Sequence, residues 1–208
     1  MILGIIQARM SSIRLPGKSL MLLHGKPLLQ WVIEAAQQSK KIDKVIVATS
    51  NQIDDKQIVD FASDYVDVFL GDLNNVLNRF YQAALYYKPN HIVRLTADCP
   101  LLIPELIDDV INQHMLDGND YTWNREKWPS GFDVEVFTFD TLCRTYAQAT
   151  KLYDQEHVTP YIRDNFDMFK IGSYDIGGVG LSGKWSIDTI VDYENVSDAF
   201  FLFKGAGK

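Results

Sequence analysis

Three cations stand close together directly after the first apolar run of the chain. The stretch IIQARMSSIRLPGKSL (residues 5–20) begins as a strand and then places Arg9, Arg14 and Lys18 among small residues, with no acidic side chain between them. The whole chain carries a formal net charge of −7, so this positive charge is local. Arginine offers a planar fork of donors and lysine a compact charge, and both suit phosphate oxygens. The spacing predicts an anion site that fits a triphosphate better than a monophosphate.

The same stretch ends in Gly-Lys-Ser, which invites comparison with the P-loop of nucleotide-binding proteins. A P-loop needs glycine where this chain has Ser12, and a helix must directly follow its lysine. Gly25 and Pro27 come too soon for such a helix, and the G-x-G-x-x-G fingerprint of dinucleotide-binding folds is absent from the sequence. A looser anion cradle remains, with a solvated basic loop as the alternative.

Two aspartates complete a candidate metal site. Asp98 follows an apolar run in RLTADCPL, and Asp188 ends the segment KWSID, for which we predict a short strand. Mg²⁺ binds one or two carboxylates and takes its other ligands from water and phosphate oxygens. We expect the two aspartates to share one Mg²⁺ ion, and their repulsion to raise the pKa of at least one carboxyl when the ion is absent. The alternative is that each caps a helix, near residues 104 and 191 respectively.

The elements around these residues alternate between strands and helices. Apolar runs predict strands at 2–7, 44–50, 66–71 and 91–98, and amphipathic stretches predict helices that begin near residues 27, 54, 74 and 104. Four strand–helix units in succession imply a parallel sheet with right-handed crossovers. Such sheets bind ligands at the carboxyl ends of their strands, so the basic loop and Asp98 should meet at one edge.

The pattern changes after about residue 118. The segment FDVEVFTF alternates, which predicts a half-exposed antiparallel strand with Asp133 and Glu135 on its polar face. These two carboxylates either meet a sugar or belong to an ordinary solvated face. The remaining segments are predicted as helices at 139–149 and 154–166, a strand near 168–176, a glycine-rich loop at 177–183 and a closing helix from 192. We predict one domain over 1–208, with nucleotide-binding units at 1–117 and a sugar-binding, closing part at 118–208.

Composition limits the class of protein. Hydrophobic residues make up 47% of the 208 residues, enough for a core, and no apolar run reaches the ~18 residues of a membrane span. The two cysteines, Cys99 and Cys143, form no C-x-x-C metal motif. The acidic balance argues against nucleic acid as the main partner. We expect a cytoplasmic protein that binds small molecules and does not insert into membranes. Its oligomeric state stays open, a homodimer included.

The motifs together resemble those of a known family. The stretch QARMSSIRLPGKSL, with the later GKP, is similar to the opening of the sugar-acid cytidylyltransferases, particularly the CMP-KDO synthetases, and TADCPL and SIDT resemble two further motifs of these enzymes. The likeness is closest to the spore coat polysaccharide biosynthesis protein F group, which shares IIQARMSS, LPGK, DVEVF and EHVTPYI. The resemblance implies an α/β fold of the glycosyltransferase-A type, with a mostly parallel mixed sheet and helices on both faces.

The resemblance also implies a reaction and a set of site residues. CTP would donate CMP to a sugar acid for surface polysaccharide, with Mg²⁺ as cofactor and pyrophosphate as product. The catalytic residues by this likeness are Arg14, Lys18, Asp98 and Asp188, of which the two aspartates would hold the metal and the cations, with Arg9, the triphosphate. The substrate contacts are expected at Ala8, Arg9, Ser12, Asn78, Arg79, Asp133 and Glu135. His157, in EHVTPYI, is a candidate general base, with a structural role as the alternative.

Two other functions stay open at this point. One is a glycosyltransferase of the same fold that uses a ready-made nucleotide sugar; such enzymes often hold metal through D-x-D, whereas this chain has Asp98-Cys99-Pro100. The other is a non-catalytic nucleotide-sugar-binding module, which loss of a metal aspartate or a cation would favour, and none is lost. The chain carries Cys99 where the synthetases have Glu, and Ser130 where the spore coat group often has Arg. The identity of the sugar therefore stays open.

Overall fold

A computed structural model describes residues 1–177 and 182–204 of the chain. Its strands are β1 (Ile2–Gln7), β2 (Leu22–Leu23), β3 (Lys26–Pro27), β4 (Lys44–Ser50), β5 (Asp67–Gly71), β6 (His91–Thr96), β7 (Tyr121–Trp123), β8 (Glu135–Thr138) and β9 (Ile171–Ser173). Its helices are α1 (Leu28–Gln38), α2 (Lys56–Ala62), α3 (Val76–Tyr87), α4 (Pro104–Asp117), α5 (Phe139–Gln148), α6 (Leu152–His157), α7 (Pro160–Asp164) and α8 (Ile190–Lys204).

Seven of these strands form one sheet in the order β5-β4-β1-β6-β8-β7-β9. The strands β5, β4, β1 and β6 run parallel, whereas β8 is antiparallel to both of its neighbours, β6 and β7. The parallel part arises because a helix returns the chain to the same end of the sheet after each strand. The expectation of a mostly parallel mixed α/β sheet is confirmed.

Helices cover both faces of the sheet, as expected. Along β1, Leu3 and Ile5 pack into a core shared with α3 and α5, while Ile6 packs into a second core with α1, α4 and α8. These three side chains are fully buried, and each contributes roughly 1.5–3 kcal/mol by leaving water. The continuous apolar run of β1 is thus explained by its central place between two helical layers.

The region after residue 118 departs from the expectations in several places. The strand in FDVEVFTF is antiparallel as predicted, but it is buried on both faces, because Phe137 packs into the core beneath α5 and Glu135 is enclosed by arginines. The prediction of a half-exposed strand is therefore wrong. Strand β7, which has only three residues, was not predicted from the sequence. The predicted helix at 154–166 is two short helices, interrupted at Val158, whose φ of 71° cannot continue a helix.

The predicted strand at 184–188 is not a strand. The segment has no regular secondary structure and joins the rest of the molecule through two separate backbone hydrogen bonds, from Trp185 N–H to the Ser130 carbonyl (2.7 Å) and from Ile187 N–H to the Asp98 carbonyl (2.9 Å). Within the predicted glycine-rich loop, residues 178–181 lie outside the described residues. In the described part of the chain, every helix is too short or too polar to cross a bilayer.

Candidate active site

The basic loop leaves the carboxyl end of β1 between the ends of two neighbouring strands. Gln7 stands opposite Ala48 of β4 and Thr96 of β6. Buried Asp55 fixes the start of the loop, because its carboxylate accepts hydrogen bonds from the N–H of Met10 (2.7 Å) and of Ser50 (3.1 Å). Asp55 occupies the N-cap position of α2, but its side chain makes no capping hydrogen bond; its carboxylate instead joins the basic loop to the end of β4 at the ligand edge of the sheet.

Lys18 lies at the centre of the site. Its ammonium donates hydrogen bonds to Asp98 Oδ2 (2.6 Å), Asp188 Oδ1 (2.9 Å) and the Ile187 carbonyl oxygen (2.8 Å). A single ammonium group therefore bridges the carboxylates of Asp98 and Asp188, which are 90 positions apart in sequence. The expectation that these aspartates come together agrees with this geometry.

The helix-cap alternative for the two aspartates is wrong. Helix α4 has Ile103 at its N-cap and no side-chain cap. At the start of α8, Thr189 Oγ1 accepts a hydrogen bond from Asp192 N–H, and the Asp192 carboxylate accepts from the N–H groups of Thr189 and Asp188. Because this reciprocal cap serves the helix, the side chain of Asp188 is free to face the basic loop.

Three cations contact the carboxylate of Asp188. Arg14 approaches its Oδ1 at 3.1 Å and Lys184 approaches its Oδ2 at 2.8 Å, in addition to Lys18. Burial alone would raise the pKa of Asp188, but hydrogen bonds from Lys184 and Lys18 outweigh it and lower the pKa to about 2. The pKa of Asp188 is therefore lowered rather than raised by its surroundings, because Lys184 and Lys18 pair with its carboxylate.

Lys18 stays charged in this position. Burial alone would lower the pKa of Lys18, but the charge of Asp98 and the hydrogen bonds to Asp98 and Asp188 raise it above its ordinary value. In the structure, this side chain contacts the two candidate metal ligands directly. A role in triphosphate binding requires its ammonium to exchange these carboxylates for phosphate oxygens.

Two arginines complete the wall next to the basic loop. Arg9 pairs with Glu156 of α6, at 2.8 Å. Arg79 of α3 is 1% exposed and donates to the Asp72 carbonyl oxygen, while its Nε has no hydrogen-bond partner among the described residues. Burial lowers the pKa of Arg79 to about 10, although the charges of Asp55 and Asp72 oppose this; neither carboxylate, nor any other in the described residues, lies within 4.0 Å of the Arg79 guanidinium. The guanidinium stays protonated at neutral pH, so it supplies buried positive charge at the cleft.

The opposite wall is built from acidic side chains of the antiparallel strand and the segment before it. Glu135 is held between Arg94 (2.7 Å) and Arg163 (3.2 Å) and accepts hydrogen bonds from Thr159. Burial alone would raise the pKa of Glu135, but these two arginines lower it. Asp133 lies between the Gly131 N–H (3.0 Å) and Arg125 (3.0 Å).

These walls enclose a cleft of about 430 Å³. The residues that the sequence assigned to the site and that line this cleft are Ala8, Arg9, Ser12, Arg14, Lys18, Arg79, Asp98, Asp133, Glu135 and Asp188. Asn78 is not part of the lining; its side-chain oxygen accepts a hydrogen bond from Gln82 along α3. His157 also lines the cleft, and the γ-turn at Val158, closed by the Thr159 N–H bond to the His157 carbonyl (2.8 Å), fixes its place.

Several lining residues were not predicted from the sequence. Arg94 and Arg125 pair with the two carboxylates of the opposite wall, and Ser130 and Ser186 share a hydrogen bond of 2.9 Å across the cleft rim. Arg94 carried a signal, since a cation inside the apolar run HIVRLT must have a buried partner. For Glu156, the only signal in the sequence was its place in the motif EHVTPYI, because its partner Arg9 lies 147 positions away.

The donor set at Asp98 and Asp188 suits a hard divalent cation. Two carboxylates already share one positive charge, the Lys18 ammonium, and Mg²⁺ takes one or two carboxylates and fills its shell with water or phosphate oxygens. Within residues 1–177 and 182–204, no cluster of three or more His, Cys, Asp and Glu side chains could form an all-protein metal cage. The residues present therefore fit an ion that is bound together with a phosphate ligand.

The cytidylyltransferase family profile matches residues 3–196 of the chain. An uncharacterised protein of Methanocaldococcus jannaschii is 41% identical over 93% of this chain and 80% of its own length. The spore coat polysaccharide biosynthesis protein SpsF of Bacillus subtilis is 35% identical over the whole of this chain and 88% of its own. A 3-deoxy-manno-octulosonate cytidylyltransferase of Bdellovibrio bacteriovorus is 38% identical over 51% of this chain and 43% of its own.

Solved structures with the same fold include a cytidylyltransferase from Leptospira borgpetersenii. It superimposes with a TM-score of 0.91 at 30% identity, covering 99% of this chain and 90% of its own. A CMP:2-keto-3-deoxy-manno-octonic acid synthetase in complex with CTP superimposes with a TM-score of 0.72 over 97% of this chain and 98% of its own. That second likeness, at 17% identity, concerns the fold alone.

Proposed function

Because the chain belongs to the cytidylyltransferase family, we propose that it transfers CMP from CTP to a sugar acid, with release of pyrophosphate, in the synthesis of a surface polysaccharide. The motifs that resemble this family in the sequence, including the likeness to SpsF, agree with the relatives found. One observation carries the proposal: the Lys18 ammonium joins Asp98 and Asp188 directly beside the basic loop.

The proposed roles follow from charge. Arg9, Arg14 and Lys18 bind the triphosphate, and Asp98 and Asp188 hold Mg²⁺, which when bound neutralises phosphate charge and orients the reacting groups. A hydroxyl of the acceptor attacks the α-phosphorus of CTP, an oxygen–phosphorus bond forms, and the bond to the leaving pyrophosphate breaks. The cations of the basic loop stabilise the negative charge that develops on the pyrophosphate. Positioning accounts for most of the remaining catalysis.

The acceptor is proposed to lie between Arg79 and the wall formed by Asp133 and Glu135. Arg79 offers a buried positive charge without a carboxylate partner among the described residues, which suits an anionic group of a sugar acid. His157 is the candidate proton acceptor. Burial lowers its pKa, Glu156 opposes this, and the charges of Arg94 and Arg9 lower it further. His157 is therefore neutral at pH 7 and able to accept a hydrogen bond from a hydroxyl.

The decisive experiment is an assay of pyrophosphate release with a panel of nucleoside triphosphates and sugar acids in the presence of Mg²⁺. We expect release with CTP and one or more sugar acids, and loss of release in Asp98→Asn. The matched control is Asp60→Asn, an exposed aspartate on α2. Consumption of a ready-made nucleotide sugar, with CTP inert, would instead support the glycosyltransferase alternative. We place the reaction in the cytoplasm, a proposal that fits two unpaired cysteines.

A further inference from the structure

Each cation of the basic loop contacts a carboxylate from a distant part of the chain. Arg9 pairs with Glu156, Arg14 with Asp188, and Lys18 with both Asp98 and Asp188. The loop itself contains no acid, so these pairs exist only because the fold brings α6, the end of β6 and the segment before α8 against it. The groups proposed to bind the triphosphate and those proposed to bind the metal therefore neutralise each other.

We propose that these ion pairs are exchange contacts, which a metal ion and a triphosphate must break and replace when they bind. The proposal rests on the proposed function and adds a property to it. Each ligand alone frees charged groups that it cannot pair, and the second ligand supplies their new partners. The metal and the triphosphate therefore bind cooperatively, through Lys18 and Arg14 on one side and Asp98 and Asp188 on the other.

The metal half of the exchange centres on Lys18. Its side chain is 12% exposed and makes three hydrogen bonds, two of which occupy oxygens of the candidate metal ligands. A divalent ion at Asp98 and Asp188 repels the ammonium and takes its acceptors. Without an anion to receive it, Lys18 would keep its charge in a half-enclosed site with fewer partners, and this opposes metal binding.

The triphosphate half centres on Glu156. Its carboxylate lies 2.8 Å from the Arg9 guanidinium and lines the cleft, so it stands where a phosphate oxygen would pair with Arg9. An incoming triphosphate must displace this carboxylate and also meets its negative charge. Glu156 contacts neither candidate metal ligand in the described structure, so it tests this half of the exchange separately from the metal half.

The metal half is tested with Mn²⁺ alone, measured by electron paramagnetic resonance on nucleotide-free protein. Lys18→Met removes the competing ammonium, and we expect about tenfold tighter Mn²⁺ binding than in the unchanged protein. Lys26→Met is the matched control, because Lys26 is also ion-paired, to Glu34, but does not line the cleft. Equal or weaker Mn²⁺ binding by Lys18→Met would overturn this half.

The triphosphate half is tested with inorganic tripolyphosphate, measured by calorimetry in the presence of a chelator. Glu156→Gln removes the competing charge, and we expect about two- to fivefold tighter binding, the range for a partly exposed ion pair. Glu34→Gln is the matched control, since it breaks an ion pair outside the cleft. Weaker or unchanged binding by Glu156→Gln would contradict the exchange. Because the Glu156 side chain is 44% exposed, we expect Glu156→Gln to fold. This variant therefore tests the exchange even if Lys18→Met does not fold.

A third measurement separates failure of the inference from failure of the proposed function. Mn²⁺ binding to the unchanged protein is measured with and without CTP, after subtraction of the Mn²⁺ that CTP binds in the absence of protein. Binding that tightens in the presence of CTP, together with the two variant effects, supports the exchange. If CTP and Mn²⁺ bind together but neither variant changes affinity, the exchange is wrong and the proposed function stands. If CTP promotes no Mn²⁺ binding at all, the proposed function itself fails.

Discussion

Lys18 is more deeply buried than Arg9 and Arg14, the other two cations of the basic loop. Its three hydrogen bonds tie the loop to β6 and to the segment before α8, whereas the Arg14 side chain is 62% exposed. We expect Lys18→Ala to lower the free energy of unfolding by about 1–3 kcal/mol, because two carboxylates lose a shared partner. Arg14→Ala should change it by about 0.5 kcal/mol or less.

Urea unfolding of both variants without ligand checks this prediction. Calorimetry with CTP and Mg²⁺ provides the second measurement, in which both variants should bind more weakly than the unchanged protein. If the two variants were equally stable, the three hydrogen bonds of Lys18 would contribute nothing to the fold.

Gly131 is a second residue on which the site depends. Its φ is +110°, and a Cβ there would lie 2.2 Å from the Trp185 carbonyl carbon, which belongs to the backbone of the segment that carries Asp188. We expect Gly131→Ala to cost more than about 3 kcal/mol and to weaken nucleotide binding, because that segment must move. The matched control is Gly118→Ala at the end of α4, where φ is +60° and nothing lies within 4 Å. That change should cost only about 1 kcal/mol, as judged by thermal unfolding.

At the scale of elements, α4 is joined to the sheet by a pair of histidines. His114 is buried, its Nε2 lies 3.1 Å from His91 Nδ1, and its Nδ1 lies 3.1 Å from Thr122 Oγ1. Burial, and to a lesser extent the charge of His91, lower the pKa of His114 to about 4. The unfolded chain therefore binds a proton more readily than the folded one between pH 6.5 and about 4.

This difference predicts a loss of stability in acid. The pKa of His114 is lower in the folded state than in the unfolded chain. The free energy of unfolding therefore keeps its full value above pH 6.5 and falls by up to about 3 kcal/mol as the pH drops towards 4. We expect His114→Gln to flatten the dependence of unfolding free energy on pH in this window. The exposed His24, changed to Asn, should leave the slope as it is. A slope that persists in His114→Gln would assign the acid sensitivity to other groups.

The elements also show what the sequence could predict. Long segments with a clear pattern were predicted closely: α1 begins at Leu28, against a predicted start near residue 27, and the strand over Lys44–Ser50 has the predicted bounds. The three-residue strand Tyr121–Trp123 was missed, since three residues carry no period. The burial of Glu135 was also missed, because its alternation with valines is typical of a half-exposed strand and its partners Arg94 and Arg163 are distant in sequence.

At the scale of the whole molecule, the cleft joins three parts of the chain that are far apart in sequence. The basic loop, the end of β6 and the segment before α8 each supply lining residues. A ligand that binds all three should stabilise the fold by mass action, by about 2.7 kcal/mol at a concentration 100 times its Kd. We expect CTP with Mg²⁺ to raise the melting temperature more than CDP does at equal concentration, because the extra phosphate engages more of the basic loop. An equal shift with both nucleotides would mean that the loop does not bind the γ-phosphate.

The candidate site shows the same division between local and distant information. Asp98 and the basic loop could be placed together from the sequence, because both follow strands of a predicted parallel sheet. Asp188 was assigned to the site from a predicted strand end as well as from its motif, but its segment is not a strand, so only the motif was a sound basis. The pairing of each cation of the basic loop with a carboxylate of the same chain could not be predicted, because the paired residues lie up to 170 positions apart in sequence.

The central position of β1 in the sheet affects how the chain folds during its synthesis. Strand β1 is synthesised before both of its partners, β4 on one side and β6 on the other, so its second edge stays unpaired until residue 96 has been synthesised. Strand β6 in turn waits for β8, which ends at residue 138. During translation, the growing chain therefore presents an unpaired apolar strand edge until residue 138 has been synthesised, and this edge is open to chaperones and to aggregation.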